Sequence, residues 1–288
     1  MSQTKEHFIE LTYDDLFLSI FANPEYIGLT EYLVATILGY DINDVKGNIE
    51  IKTRNLDLKH KSDKKSQVDL LLKYKGEIIN IELQRSYNDG SKKRNFIYLA
   101  RIIGNSFKEG MRYNEISKTI QIIINNSNFG PDKFTEQIGL VNLYDHEKYS
   151  DDVLIFIINL QKQKFLCYDY EKKLVSLSNL LSSKTMDEFD KRLEKLDMDS
   201  EHKTKLSDHV KEFSNDENEY QFYLSKTKTE LDHEWSLEAA KNEGIQEGID
   251  SEKVEIAKNL INSNVDINVI SSSTGLSIEE IENLKESI

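Results

Sequence analysis

Two short apolar runs, separated only by Lys75 and Gly76, place the strongest constraint on the fold of this chain. Residues 67–74 and 77–84 have the length and the apolar content that are typical of β-strands. A two-residue segment ending in glycine between such runs favours a tight hairpin turn. The sequence therefore predicts an antiparallel hairpin over these residues.

The hairpin brings two acidic residues together. With a two-residue turn, Asp69 lies directly opposite Glu82, and their side chains lie about 5 Å apart on one face of the sheet. Gln84 shares that face because side chains alternate along a strand. Two facing carboxylates repel each other unless a cation neutralises them, and Mg²⁺ prefers a few carboxylates completed by water and phosphate oxygens. The hairpin thus predicts a Mg²⁺ site; the alternative is a pair of ordinary polar residues on a solvent-facing surface.

The rest of the chain mixes helical and extended patterns. Apolar residues recur at helical spacing in 13–21, 29–38, 92–107, 185–196 and 201–213. Short apolar runs typical of strands occur in 118–124, 139–144 and 153–160. The chain is therefore predicted to be an α/β protein with a helical C-terminal part.

Charge is distributed unevenly along the sequence. The chain has 37 Lys and Arg residues against 51 Asp and Glu residues, so its net charge is −14, which disfavours binding of nucleic acid by the molecule as a whole. Residues 52–101, however, contain 13 basic and six acidic residues, a local charge of +7. Such a segment attracts a phosphate backbone through counterion release. We therefore expect nucleic acid to bind this segment.

Several classes of protein are disfavoured by composition. The single cysteine, Cys167, cannot form an intramolecular disulfide or a cysteine-rich metal site. The apolar runs fall far short of the roughly 20 residues that span a bilayer, and no apolar signal segment is visible near the N-terminus. We expect a cytoplasmic protein that does not bind a membrane.

The order and spacing of these residues resemble the PD-(D/E)XK nuclease superfamily, and more closely its recombination-promoting nuclease/transposase-like group. The residues that carry the resemblance are Asp69, Glu82, Gln84, Arg94 and Tyr98. The segment Tyr-Asp-Asp-Leu-Phe at 13–17 and the glycine-punctuated tail ending at 274–277 extend it. The resemblance implies a three-layer α/β/α restriction-endonuclease-like core with a mixed sheet, followed by a helical C-terminal extension.

The resemblance also implies roles for individual residues. Asp69 and Glu82 take the positions of the metal ligands, with the carbonyl of Leu83 as a backbone ligand for Mg²⁺, or for Mn²⁺ in its place. Gln84 falls where many relatives have lysine, although glutamine is typical of the closer group. An amide cannot act as a cationic activator, but it can orient a water or a phosphate oxygen. The implied activity is metal-dependent endonucleolytic hydrolysis of DNA.

The helical segment after the hairpin carries the candidate DNA-binding residues. Arg94, Tyr98 and Arg101 recur at i, i+4 and i+7, so they lie on one helix face. Arg94 can clamp a phosphate with two hydrogen bonds, while Lys92 and Lys93 supply attraction to the backbone. The alternative is a solvated cationic face whose tyrosine packs against the sheet.

Composition divides the chain into three predicted parts: a nuclease domain at 1–214, an acidic helical linker at 215–250 and a small helical module at 251–288. A Glu-Gly-Ile repeat at 243–249 predicts either a helix weakened by glycine or a hinge. The module contains seven acidic and three basic residues, which favours oligomerisation or partner docking over DNA binding. Two other functions stay open: a catalytically silent relative that binds nucleic acid or a partner, and a helical assembly factor.

Overall fold

The computed structural model describes residues 7–52, 69–85, 87, 89–107, 109–127, 130–165 and 171–286. Part of the basic segment (53–68) and Cys167 lie outside the described residues. The strands are β1 (Ile49–Ile51), β2 (Leu70–Tyr74), β3 (Glu77–Gln84), β4 (Thr119–Asn125), β5 (Thr135–Val141) and β6 (Lys148–Asn159). The α-helices are α1 (Asp14–Phe21), α2 (Ile27–Leu38), α3 (Ile42–Val45), α4 (Asp89–Ser106), α5 (Glu171–Leu181), α6 (Met186–Glu194), α7 (Ser200–Asn215), α8 (Glu217–Asn262), α9 (Ile267–Thr274) and α10 (Ile278–Glu286).

The strands form one six-stranded sheet in the order β1-β2-β3-β4-β6-β5. Strands β3, β4 and β6 are parallel to one another, whereas β1, β2 and β5 run antiparallel to their neighbours. Helix α4 follows β3 in the chain and precedes β4, so it belongs to the crossover that two parallel strands require. The sheet is therefore mixed, as the sequence predicts.

Side-chain alternation separates two packing layers around this sheet. One face of β2 and β3 contributes Leu70, Leu72, Ile79 and Ile81 to the main core, together with residues of α1, α2, α5, α6 and α7. Leu71 and Ile78 point to the other face, where they pack against Ile102 of α4. The sheet thus lies between two helical layers, which confirms the predicted three-layer α/β/α core.

The N-terminal Tyr-Asp-Asp-Leu-Phe segment is explained by packing. Tyr13 precedes α1, and Tyr13, Leu16 and Phe17 are fully buried in the main core. Complete burial of side chains of this size contributes about 1.5–3 kcal/mol each. Asp14 lies in the first turn of α1, where its negative charge interacts favourably with the positive end of the helix dipole and stabilises the helix. This segment therefore anchors the helical layer to the sheet.

The chain divides into two compact units, Met1–Tyr223 and Leu224–Ile288. In the second unit, the end of α8 packs with α9 and α10 around Ala257, Ile270 and Ile281. Helix α8 is continuous through the Glu-Gly-Ile repeat. No helix in the described part of the chain is both long enough and apolar enough to cross a membrane.

Helix α10 begins with a capping box, a pattern that the sequence Ser-Ile-Glu-Glu at 277–280 indicates. The backbone N–H of Glu280 donates to Ser277 Oγ at 3.2 Å, and the backbone N–H of Ser277 donates to Glu280 Oε2 at 2.8 Å. This reciprocal pair satisfies backbone donors that the first turn of a helix leaves without intrahelical partners. The boundary between α9 and α10 is therefore set locally by the sequence.

Candidate active site

The hairpin between β2 and β3 fixes the geometry of the site. Lys75 and Gly76 form its turn, with φ angles of 44° and 91°. Positive φ at both central residues is the mark of a type I′ turn, whose twist matches that of paired strands. Leu70 consequently pairs with Ile81, which confirms the register predicted from the sequence.

Asp69 directly precedes β2, and continuing the register brings it opposite Glu82. The Asp69 carboxylate accepts a hydrogen bond from the backbone N–H of Leu83, with an Oδ2–N distance of 2.7 Å. The N–H and C=O of one strand residue face the same edge, so the Leu83 carbonyl also faces the Asp69 side. The two carboxylates and the backbone of Leu83 therefore lie at the same end of the hairpin.

Glu82 is buried, with only 7% of its surface exposed. Burial, followed by repulsion from Asp69, raises the pKa of the Glu82 carboxyl from 4.5 to about 8. Three interactions oppose this rise in pKa. Asn80 Nδ2 donates to Glu82 Oε1 at 3.0 Å, the positive charge of Arg94 favours the ionised form, and the backbone N–H of Asp69 donates to the carboxylate. Near neutral pH the Glu82 carboxyl therefore retains its proton unless a cation binds and replaces that proton.

Gln84 lies on the same strand face as Glu82 and is 2% exposed. Its Nε2 donates to Asn95 Oδ1 of α4 at 2.6 Å. Its Oε1 is buried and has no hydrogen-bond partner among the described residues. Because burial of an unsatisfied acceptor costs about 1–3 kcal/mol, this oxygen is suited to receive a water or a cation.

The polar face extends across the parallel strands beyond the predicted residues. Gln84, Asn125 and Asn159 are aligned on β3, β4 and β6, and Asn125 Nδ2 donates to Asn159 Oδ1 at 2.8 Å. One layer deeper, Asn80 pairs in register with Gln121, and both are fully buried. Sequence reasoning missed these amides, although two of them recur four residues apart, and therefore on one face, within each of the apolar strands β3 and β4, which was a usable signal.

The donor set fits a hard divalent cation. Within the described ranges there is no cluster of three or more His, Cys, Asp or Glu side chains, so the two carboxylates cannot be completed by a third such ligand there. Further oxygen donors on these residues and their neighbours include the Leu83 carbonyl and the side-chain oxygens of Gln84 and Asn80, which are buried without a hydrogen-bond partner in the described region. Water can supply the others. Mg²⁺ retains several waters and binds through one or two carboxylates, so these residues match its coordination preference.

Helix α4 carries the predicted cationic residues. Lys92, Lys93 and Arg94 are exposed near its start. Arg94 is close enough for its charge to lower the pKa of Glu82, which ties this end of α4 electrostatically to the carboxylate pair. The cationic end of α4 therefore lies near the acidic end of the hairpin.

The later part of the predicted row on α4 is more enclosed. Tyr98 is half-buried and packs against Ile102, with Leu71 and Ile78 of the sheet in the same cluster. Arg101 is also half-buried. The position of Tyr98 matches the packing alternative for this residue, whereas the exposed charges lie one turn earlier.

The mixed sheet between two helical layers and the acidic hairpin define an α/β protein with a restriction-endonuclease-like core. A family model described as PD-(D/E)XK nuclease family transposase matches residues 12–240. The chain therefore belongs to this family, which confirms the resemblance seen in the sequence and supports a nuclease-like function. Searches among curated proteins and among solved structures give no match.

Proposed function

We propose that this protein is a Mg²⁺-dependent endonuclease that hydrolyses phosphodiester bonds in DNA, with Mn²⁺ as a substitute ion. The observation that carries the proposal is the hairpin end, where Asp69 faces the buried Glu82 and binds the backbone of Leu83. Two like charges at a buried position are unfavourable without a cation, so their placement is best explained by metal binding.

In this proposal, Asp69, Glu82 and the carbonyl of Leu83 would hold the cation. A bound divalent cation would lower the pKa of a coordinated water and stabilise negative charge on the phosphate. Because Gln84 Nε2 is engaged by Asn95, Gln84 offers Oε1 to accept a hydrogen bond from the attacking water. Gln84 thus positions the nucleophile without supplying a positive charge.

Helix α4 supplies the attraction for the nucleic acid. The charges of Lys92, Lys93 and Arg94 draw the phosphate backbone toward the hairpin, and Arg94 can bind a phosphate through two parallel hydrogen bonds. Tyr98 and Arg101 continue this helix face toward the sheet. We propose the cytoplasm as the compartment, because a chain with one cysteine does not depend on disulfides.

The competing function is a catalytically silent relative that binds nucleic acid or a partner. The amide of Gln84, where many relatives have lysine, is the observation that keeps this alternative open. Cleavage of supercoiled DNA, linear duplex, single-stranded DNA and RNA should be measured with Mg²⁺, Mn²⁺ or EDTA. We expect DNA cleavage with either metal, none with EDTA, and a loss of about 10³-fold in Asp69→Asn.

Two results of this assay would reject the proposal. Binding of DNA without metal-dependent cleavage would identify the silent relative, and cleavage that persists in EDTA would exclude the metal site as the source of activity. Circular dichroism should show that Asp69→Asn retains the secondary structure of the wild type, so that a loss of cleavage is not a loss of fold.

A further inference from the structure

Helix α8 leaves an apolar stripe uncovered in the second unit. Its members are Leu224, Leu231, Trp235, Ile245, Ile249 and Ile256, and each is 42–66% exposed. The helix contains 46 residues, so it is about 69 Å long. The small module packs on the end of α8 around Ala257 and leaves the stripe open. A long helix that exposes this much apolar surface indicates an unfilled interface.

The stripe has the spacing of a coiled coil. Four polar residues on the same helix face complete the row. Together, the ten residues follow one another at alternating steps of four and three, which is the spacing of a and d positions in heptads. The polar members are Lys228, Glu238, Asn242 and Glu252. All four are exposed, so none of them is committed to the core of this chain. The expected partner is therefore another helix that presents complementary charges at these positions.

A parallel pair of identical helices is disfavoured by these polar positions. In that arrangement each seam residue meets its own copy, so Lys228 faces lysine, while Glu238 and Glu252 each face glutamate. Three layers of like charge would then lie in the seam, where repulsion is least screened. The partner must present the opposite charge at these positions.

The same helix in the antiparallel orientation presents that charge. If two copies cross at Ala240, Lys228 of one lies opposite Glu252 of the other, and Glu238 lies opposite Asn242. The apolar positions then also meet apolar positions, and these pairs are Leu224 with Ile256, Leu231 with Ile249, and Trp235 with Ile245. Every member of the stripe acquires a compatible neighbour. We propose that α8 binds the α8 helix of a second copy of this chain in an antiparallel pair centred on Ala240.

Charge reversal in the full chain tests this pairing. Lys228→Glu alone, or Glu252→Lys alone, should raise the dimer dissociation constant roughly tenfold or more, because each creates two repulsive contacts per dimer. Combining the two substitutions should restore wild-type dimerisation. Sedimentation equilibrium gives the dissociation constants, and circular dichroism verifies that each variant remains helical.

A matched control comes from the same helix. Leu237 is 50% exposed but lies off the stripe, so Leu237→Gln should leave dimerisation unchanged, whereas Leu231→Gln should weaken it. A monomeric wild-type chain at tens of micromolar, or single reversals with wild-type dissociation constants, would overturn the proposal.

Two further measurements test the orientation directly. Trp235 is the single tryptophan of the chain, so its emission should shift to longer wavelength on dilution as the dimer dissociates. In a Cys167→Ser background, Leu231→Cys combined with Ile249→Cys should cross-link two copies on oxidation, and Leu231→Cys alone should not. Cross-linking by Leu231→Cys alone would indicate a parallel pair and reject the proposed register.

Discussion

The two faces of strands β3 and β4 are both buried, yet they carry opposite chemistry. One face consists of isoleucines, such as Ile79, Ile81 and Ile122, in the main core. The other face carries amides and a carboxylate, including Glu82 and Gln84, and part of its hydrogen-bonding capacity is unsatisfied in the described region. Because unsatisfied buried polar atoms cost free energy, the first face contributes most to stability, and the second is the face that we propose to bind the cation.

The largest expected effect concerns the pH dependence of the polar face. Since the pKa of Glu82 rises from 4.5 to about 8 on folding, the folded state binds more protons than the unfolded state between these values. The contribution of Glu82 to stability is therefore complete below about pH 4.5 and is lost as the pH rises to about 8. The full loss is on the order of 5 kcal/mol.

Urea unfolding in EDTA at about pH 5 and about pH 8 measures this loss. Glu82→Gln should lose much less stability over the same interval and should exceed the wild type in stability at the higher pH. Identical pH dependence of the two proteins would show that Glu82 does not carry the raised pKa.

The apolar face should respond to truncation instead. Ile81→Ala removes a fully buried side chain and should lower the free energy of unfolding by about 3 kcal/mol. Urea denaturation measures this loss, and the metal response of the folded protein should remain. Gln84→Ala, on the opposite face, should cost less stability, because the unsatisfied Oε1 that it removes offsets part of the lost hydrogen bond to Asn95. Equal losses in the two variants would remove the contrast between the faces.

We expect the binding of DNA to depend on the exposed charges beside the polar face. Neutralising Lys92, Lys93 and Arg94 together should weaken binding roughly a hundredfold at low salt. It should also reduce the salt slope by about 0.9 for each DNA phosphate that the variant no longer neutralises. Fluorescence anisotropy of labelled DNA at several salt concentrations measures both quantities.

Exposed lysines on the opposite helical layer provide the control. Neutralising Lys191, Lys195 and Lys205 changes the net charge by the same amount at a different surface. Affinity and salt slope should then stay close to the wild type. Equal effects of the two triple variants would mean that net charge, and not the α4 surface, governs binding.

Gln84 should influence turnover more than metal affinity. Gln84→Ala should slow cleavage ten- to hundredfold at saturating Mg²⁺, because the attacking water loses its hydrogen-bond acceptor. Metal affinity should change less, because both carboxylates remain. Gln84→Lys should retain part of the activity, whereas Gln84→Glu should do worse because it adds negative charge where phosphate approaches. Gln137→Ala, on exposed β5, is the control. Full activity in Gln84→Ala would show that Gln84 has no role in cleavage beyond its place in the strand.

Local rules predicted the hairpin but not its surroundings. The turn at Lys75 and Gly76 fixes the register, so the facing of Asp69 and Glu82 followed from the sequence. The amides of Asn95 and Gln121 could not be placed, because their proximity to the hairpin depends on the crossover helix and on parallel pairing between distant segments.

Other differences have local causes. The predicted strand at 139–144 is wrong beyond Val141, where β5 ends. The chain turns there because Asn142 Oδ1 accepts a hydrogen bond from the backbone N–H of Tyr144. Helix α8 continues through Gly244 and Gly248, since each interior glycine costs only about 1 kcal/mol against alanine. Composition alone could not decide between a weakened helix and a hinge.

The most direct test of the metal site is the effect of divalent cations on thermal stability. Mg²⁺ or Mn²⁺ should raise the melting temperature of the wild type by binding the folded state, and Glu82→Gln should lose this rise. Glu77→Gln is the matched control: it alters a carboxylate at the other end of β3, paired with Lys118 at 3.2 Å, and should keep the metal response. A Glu82→Gln protein whose melting temperature still rises like the wild type would contradict the assignment.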